Sequence, residues 1–326
     1  MGRAGVGKTA HCLDAITASL RESPLVGPRL ILLVPEQASL QMERSLLDRM
    51  PGGAIHRADV LSFRRLAFRV LDTCGDGGRS ALTPTARAMA IRLLVIRHAS
   101  EMRYYKRAHR FTGFIEKLGR SISEFIEESV QPDDLCPPPT NEDEPIRALK
   151  LYDLRLLYKA YLDLLGDSRM DPSGYLDVAR ARLPHCDWLT GARVYVDGFA
   201  GFSRQEQLML VALADAAESM DLTAMLDPSD VLDPASGGYN LFAKTQRMVA
   251  DLRDLFRSHD IAIDAPLAIS AAPHRFAKCH ALAHIEKHLF TSSPPEQAPV
   301  AGIRIVQAVD RRTEVEFAVS QILNHV

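Results

Sequence analysis

The sequence predicts a parallel α/β fold flanked by helices and interrupted by an all-helical insertion. Three observations carry that reading. A glycine-rich phosphate-binding motif opens the chain, short apolar runs alternate with amphipathic helices, and the alternation stops between about residues 80 and 188. The composition is unexceptional: 326 residues, 47% hydrophobic and 25% charged, with a formal net charge of −2. Those values exclude disordered, collagen-like and disulfide-scaffold classes and predict about two domains. No apolar run reaches the ~18–20 residues that span a bilayer. No basic-then-apolar leader is visible, and Val6 stands where a myristoylation signal needs Ser or Thr, so the expected location is cytoplasmic.

The opening motif is Gly2-Arg3-Ala4-Gly5-Val6-Gly7-Lys8-Thr9, which meets G-x-x-x-x-G-K-[ST] at every specified position. Glycines let backbone N–H groups curl round phosphates, Lys8 supplies a point charge, and the Thr9 hydroxyl is suited to Mg²⁺. The helix that starts near Lys8 adds the positive end of its dipole. ATP and Mg²⁺ are the cofactors this loop calls for. Such a loop normally follows a buried strand, and only Met1 stands before Gly2.

Cys12, Leu13, Ile16 and Leu20 recur at helical spacing, so residues 10–20 read as a helix. Residues 29–34 are a continuous apolar run, the pattern of a parallel strand covered on both faces. A helix over 37–50, a strand over 55–61 and a helix over 62–71 continue the alternation. Then come four helices: 83–100 opened by Thr83-Pro84, 109–128, 144–165 and 172–183. The proline-rich, acidic stretch 131–145 reads as an exposed linker. Strands resume at 193–196 and 222–226, followed by helices over 241–258 and 274–290 and a strand near 303–306. Asp197 closes the 193–196 run, the place of a Mg²⁺-water-holding carboxylate (Walker B). A vigorous hydrolase needs a second acid directly after it, and here stand Gly198 and Phe199. Glu206 falls in the next helix.

The ordered motifs Gly2–Thr9, residues 34–37 (VPEQ), residues 60–67 (VLSFRRLA) and residues 196–199 (VDGF) resemble the UvrD-like superfamily 1 helicases, and within them the AddB family; residues 311–317 (RRTEVEF) fit as well. The resemblance implies a P-loop NTPase (RecA-like) sheet split by a helical subdomain. On that reading the units are 1–79 and 189–300 (motor-like domain 1A), 80–188 (1B) and 301–326 (the start of a second motor-like domain). It implies an AddA-type helicase–nuclease subunit as heterodimeric partner, resection of double-strand breaks, and single-stranded DNA lying along Ser62, Phe63 and Arg64. It also implies that the family's nuclease domain and iron–sulfur cysteines lie beyond Val326.

Charge patterning adds a second candidate DNA-binding face. Residues 102–120 carry a net +5 through Arg103, Lys106, Arg107, Arg110, Lys117 and Arg120, interleaved with Tyr104, Tyr105 and Phe111. Residues 121–146 carry eight acids and no base. A solvated helix face with its aromatics in the core accounts for the same pattern. His280, His284 and His288 recur every four residues, without the glutamate or further ligands of a metal motif. The five scattered cysteines read as reduced thiols. The function expected is an ATP-binding, DNA-engaging part of a recombination helicase–nuclease with weak or no hydrolysis of its own. A P-loop kinase or unrelated NTPase acting on a small molecule, or a scaffold with a vestigial loop, fits the same loop.

Overall fold

The short apolar runs condense into a parallel sheet. The computed structural model describes residues 1–50, 53, 55–75, 78–136, 145–227, 241–269, 274–289 and 301–325. Its first elements are α1 (Lys8–Glu22), β1 (Leu30–Leu33), α2 (Ser39–Leu47), β2 (Ala58–Leu61) and α3 (Phe63–Cys74). The middle holds β3 (Ser80–Ala81), α4 (Pro84–Arg97), α5 (Thr112–Glu127), α6 (Pro145–Leu165), β4 (Arg169–Met170) and α7 (Tyr175–Arg182). The remainder is β5 (Arg193–Val196), α8 (Arg204–Ala216), β6 (Ser219–Leu222), α9 (Ala243–Ser258), α10 (His280–His288) and α11 (Arg311–Leu323).

The main sheet runs β2-β1-β5-β6, every pair parallel, with Leu30 opposite both Ala58 and Arg193. All four residues of β1 are fully buried, because successive side chains enter opposite layers. Leu30 and Leu32 pack with Cys12, Leu13, Ile16 and Leu20 of α1 and Leu46 of α2. Ile31 and Leu33 pack with Leu66 and Val70 of α3, Ala179 of α7, Met209 and Leu213 of α8 and Leu252 of α9. Buried Arg57 stitches this layer without a carboxylate: its guanidinium donates to the carbonyls of Ser19, Ser23 and Pro28 and to the Ser19 hydroxyl.

The helical insertion has its own core, built from Ile91, Leu94 and Val95 of α4, Leu118 and Ile122 of α5, and Leu157, Tyr161 and Leu165 of α6. The short parallel pair β3–β4 closes its base. Thr83 caps α4 through Ala86 N–H, with Pro84 in the first turn, as the sequence predicts. Asp171, 3% exposed, accepts from Arg87 Nε (2.6 Å), Tyr161 O–H (2.5 Å) and Ser173 N–H (2.8 Å). Burial, reinforced by Asp171, pushes the Tyr161 phenol well above its ordinary value, so it stays a donor. Tyr161→Phe is expected to cost roughly 1–2 kcal/mol in urea unfolding, because a buried carboxylate oxygen loses a partner.

The structure departs from the expectations in several places. The expected strand over 222–226 lies earlier, at 219–222, with residues 223–227 leading out of the sheet edge. No strand forms at 303–306; that segment is exposed apart from Ile303, without a neighbouring strand among the described residues. Ala179, Leu183 and Cys186, within the 80–188 span read as the insertion, pack into the sheet-side core against α3. Cys74 and Cys186, expected as reduced thiols, form a disulfide with Cα atoms 6.2 Å apart. Packing of α7 and its following turn on α3 brings these distant positions together. Cys12 stays free, and burial pushes its thiol up to about 12. Most of the expected 131–145 linker, residues 137–144, lies outside the described residues.

Candidate nucleotide site

The phosphate loop runs from the sheet edge into α1. Gly7 is the N-cap of α1 at φ 100°, a left-handed conformation that a side chain resists, and no side-chain oxygen caps the helix. The first-turn N–H groups are therefore left for an anion. Gly5 also has positive φ (79°), and a Cβ there would stand 3.1 Å from both Arg275 Cβ and Phe276 Cε2. The segment around Arg275 thus lies directly over the loop.

Lys8 folds back across the loop, its Nζ donating to the carbonyls of Gly2 (2.8 Å) and Arg3 (2.7 Å). Burial pulls the ammonium below its ordinary value; Asp197 and Glu286 oppose that shift and Arg275 adds to it. Thr9 Oγ1 donates to Asp197 Oδ2 at 2.7 Å, and Thr223 Oγ1 donates to Asp197 Oδ1 at 2.6 Å. Asp197 is 5% exposed, with its N–H bonded to Leu33 O at 3.0 Å in line with the sheet. The buried carboxylate therefore has a hydroxyl on each oxygen. A hydroxyl beside a carboxylate at the mouth of a phosphate loop is an all-oxygen donor set that fits Mg²⁺, whose remaining ligands are phosphate oxygens and waters. No group of three or more His, Cys, Asp or Glu side chains converges on a metal among the described residues.

The other loop residues have different tasks. Arg3 donates to Asp227 (3.0 Å), to the Glu286 carboxylate (2.9 Å) and to Glu286 O (2.5 Å), with its guanidinium 5.5 Å from the Phe242 ring. Its side chain therefore clamps α10 to the loop, and its backbone carbonyl holds Lys8. Val6 is buried as packing, and Ala4 is half-buried in the turn. Glu206 pairs with Ser203 as a reciprocal helix cap (2.9 and 3.3 Å), and burial raises its carboxyl above the ordinary range. Sequence reasoning missed Thr223, Arg275 and Glu286. None carries a motif; each reaches the loop only through the chain's return past the sheet edge.

The segment expected along DNA is divided. Ser62 is buried: it caps α3, accepting from Arg65 N–H (3.2 Å), and donates to the Glu36 carboxylate. Phe63 is buried edge-on against Phe199 (5.3 Å) and Phe202 (6.1 Å). Arg64 is exposed beside Phe68. Arg103, Lys106, Arg107 and Arg110 are all exposed, as are Tyr104 and Phe111. They start from a fixed turn: Asp153, fully buried, accepts from the N–H groups of Arg103 (2.7 Å), Tyr104 (2.8 Å) and Tyr105 (2.7 Å). Arg103 also lies over the Tyr152 ring at 3.8 Å. The His284 and His288 rings lie 4.6 Å apart, tilted by 42°.

Fold and loop together define a P-loop α/β protein of RecA-like architecture with a helical insertion. The chain belongs to the family described as "ADDB, N-terminal", which matches residues 1–286. It is 39% identical over 330 residues to the ATP-dependent helicase/deoxyribonuclease B subunit of Moorella thermoacetica, 37% over 329 residues to that of Desulforudis audaxviator, and 34% over 337 residues to that of Symbiobacterium thermophilum. These alignments cover 99%, 99% and 100% of this chain but 28% of each relative, so the chain spans little more than a quarter of their length. Among the described residues no helix is long and apolar enough to cross a membrane.

Proposed function

We propose that this chain is the ATP-binding, single-stranded-DNA-engaging N-terminal part of the AddB component of an AddAB-type helicase–nuclease, with weak or no hydrolysis of its own. The observation that carries the proposal is the Thr9–Asp197–Thr223 constellation beside Lys8 at the mouth of the phosphate loop. Lys8 and the first-turn amides of α1 bind the phosphates, and Arg275 adds a cation above the loop. Thr9 and Asp197 hold Mg²⁺, which neutralises phosphate charge when bound. Gly198 leaves the position after Asp197 without a base, and Glu206 is spent on its helix cap, so water is not activated for attack.

Residues 1–79 and 189–300 then form the first motor-like domain, 80–188 the inserted subdomain, whose last helix α7 packs back on the sheet-side core, and 301–326 the entry to a second motor-like domain. An AddA-type subunit is the partner, and the work of the pair is resection of double-strand breaks. Single-stranded DNA runs past Arg64, with Ser62 and Phe63 shaping the turn that presents it, and along the basic face at Arg103, Lys106, Arg107 and Arg110. Changing those last four together to Ala is expected to flatten the slope of log K against log salt by about 2–3, since ~0.7 counterions are released per neutralised phosphate on single strands. An unchanged slope in the complex with an AddA-type subunit removes this face from the proposal. Tight ATP binding with no single-strand affinity, alone or with that subunit, is the behaviour of a small-molecule kinase instead.

A further inference from the structure

Helix α4 is apolar on two opposite faces. Its inner face puts Ile91, Leu94 and Val95 into the core of the insertion, and Arg87 turns inward to Asp171. At about 100° per residue, Met89, Leu93 and Ile96 fall on the reverse side of the helix, at i, i+4 and i+7. All three are exposed, by 68%, 48% and 53%. A surface helix turns polar residues outward, and a helix that is apolar all round is a buried one. Apolar residues exposed singly need no explanation. These three stand in line along two turns, a seam about 10 Å long at 1.5 Å of rise per residue.

The flanks of the seam specify what covers it. On the same helical wheel Arg92 lies about 60° to one side of the stripe and Arg97 about 75° to the other. Both are exposed. No acid occurs in α4, and the first one beyond it, Glu101, pairs with His98 at 2.8 Å. A straight apolar seam with charge along both edges is the pattern by which one helix receives another, the edge charges setting the choice of partner. Two copies of α4 laid face to face set arginine against arginine in either direction, so like charge rejects a second copy on this seam. Nucleic acid is a poor match as well, because the stripe presents three aliphatic chains and no ring on which a base can stack.

We propose that the outer face of α4 is a docking surface for an amphipathic helix of a different protein chain, apolar at i, i+4 and i+7 and acidic along both edges. Met89, Leu93 and Ile96 supply the apolar contact, with the unbranched Met89 adapting its shape to the partner side chains. Arg92 and Arg97 pair with the carboxylates on the two edges and exclude helices whose edges are basic. The face belongs to the insertion, whose core is separate from that of the sheet carrying the phosphate loop.

The probe is a fluorescent 21-residue helical peptide with one Leu/Met stripe and Glu along both edges, compared with the same peptide carrying Lys in place of Glu. Fluorescence anisotropy against the full chain is expected to give a Kd of roughly 10 µM for the Glu peptide and at least tenfold weaker binding for the Lys peptide. Leu93→Glu is expected to weaken the Glu peptide at least tenfold. Arg92→Glu with Arg97→Glu is expected to invert the preference, so that the Lys peptide binds and the Glu peptide does not. These side chains are exposed, so Tm should move by no more than ~2 °C in either variant. Absence of binding, equal binding of the two peptides, or a preference that survives the double charge reversal overturns the proposal. So does a dimer of this chain in sedimentation that Leu93→Glu abolishes, which would assign the seam to a second copy. No readout involves nucleotide or DNA, so this inference and the proposed function fail separately.

Discussion

Lys8→Ala is expected to weaken MgATP binding by at least 100-fold, about 2.7 kcal/mol, while moving Tm by no more than ~2 °C. The asymmetry follows from where the ammonium sits. It is half-buried and folded onto the carbonyls of Gly2 and Arg3, bonds that partly offset its own desolvation. Its removal is therefore nearly neutral for the fold. A triphosphate offers that ammonium charged oxygens instead of neutral carbonyls, and charge-assisted bonds are roughly twice as strong. Titration calorimetry on parent and variant, with and without Mg²⁺, checks the point. Thr9→Val and Asp197→Asn are expected to lose the Mg²⁺-dependent part of the affinity and keep most of the remainder. An unchanged Kd for Lys8→Ala makes the loop vestigial.

Asp153→Ala is expected to be the most destabilising single change in the helical insertion, costing about 3 kcal/mol or more. One buried carboxylate satisfies three successive amides, so its loss orphans all three at the turn that begins the basic face. Asp153→Asn separates charge from geometry. Its single carbonyl can replace Oδ2 and keep the bonds to Tyr104 and Tyr105, but its NH₂ then opposes the Arg103 N–H, so about half of the loss should return. Urea unfolding followed by circular dichroism measures both. If Asp153 does organise this face, Asp153→Ala also weakens single-strand binding although it removes no positive charge.

The parts of the structure that depend on neighbours in sequence were legible, and those that depend on chain return were not. Continuous burial of β1 follows from its apolar run, the start of α4 from Thr83-Pro84, and the phosphate loop from its glycines and Lys8. Asp197 was legible as a charged residue ending an apolar strand. Thr223 was not, because a threonine at a strand end has no signature until the sheet order sets β6 beside β5. The same holds for Arg275 and Glu286, which reach the loop from beyond residue 270. Ser62 and Phe63 read as DNA contacts by resemblance, yet a serine before a helix is equally a cap and a phenylalanine equally core. In the structure Ser62 is a buried cap and Phe63 is buried in the core. That α7 packs on the sheet-side core was not legible, because helical periodicity reports that a face is buried without reporting which core buries it.

On the proposed reading this chain binds MgATP at the loop with weak or no turnover of its own. The most direct measurement records MgATP affinity and steady-state phosphate release on one sample, with single-stranded DNA present. Binding with Kd of roughly 1–100 µM and release below about one per minute is the predicted result. Absence of binding, or release at tens per second by the chain alone, contradicts it.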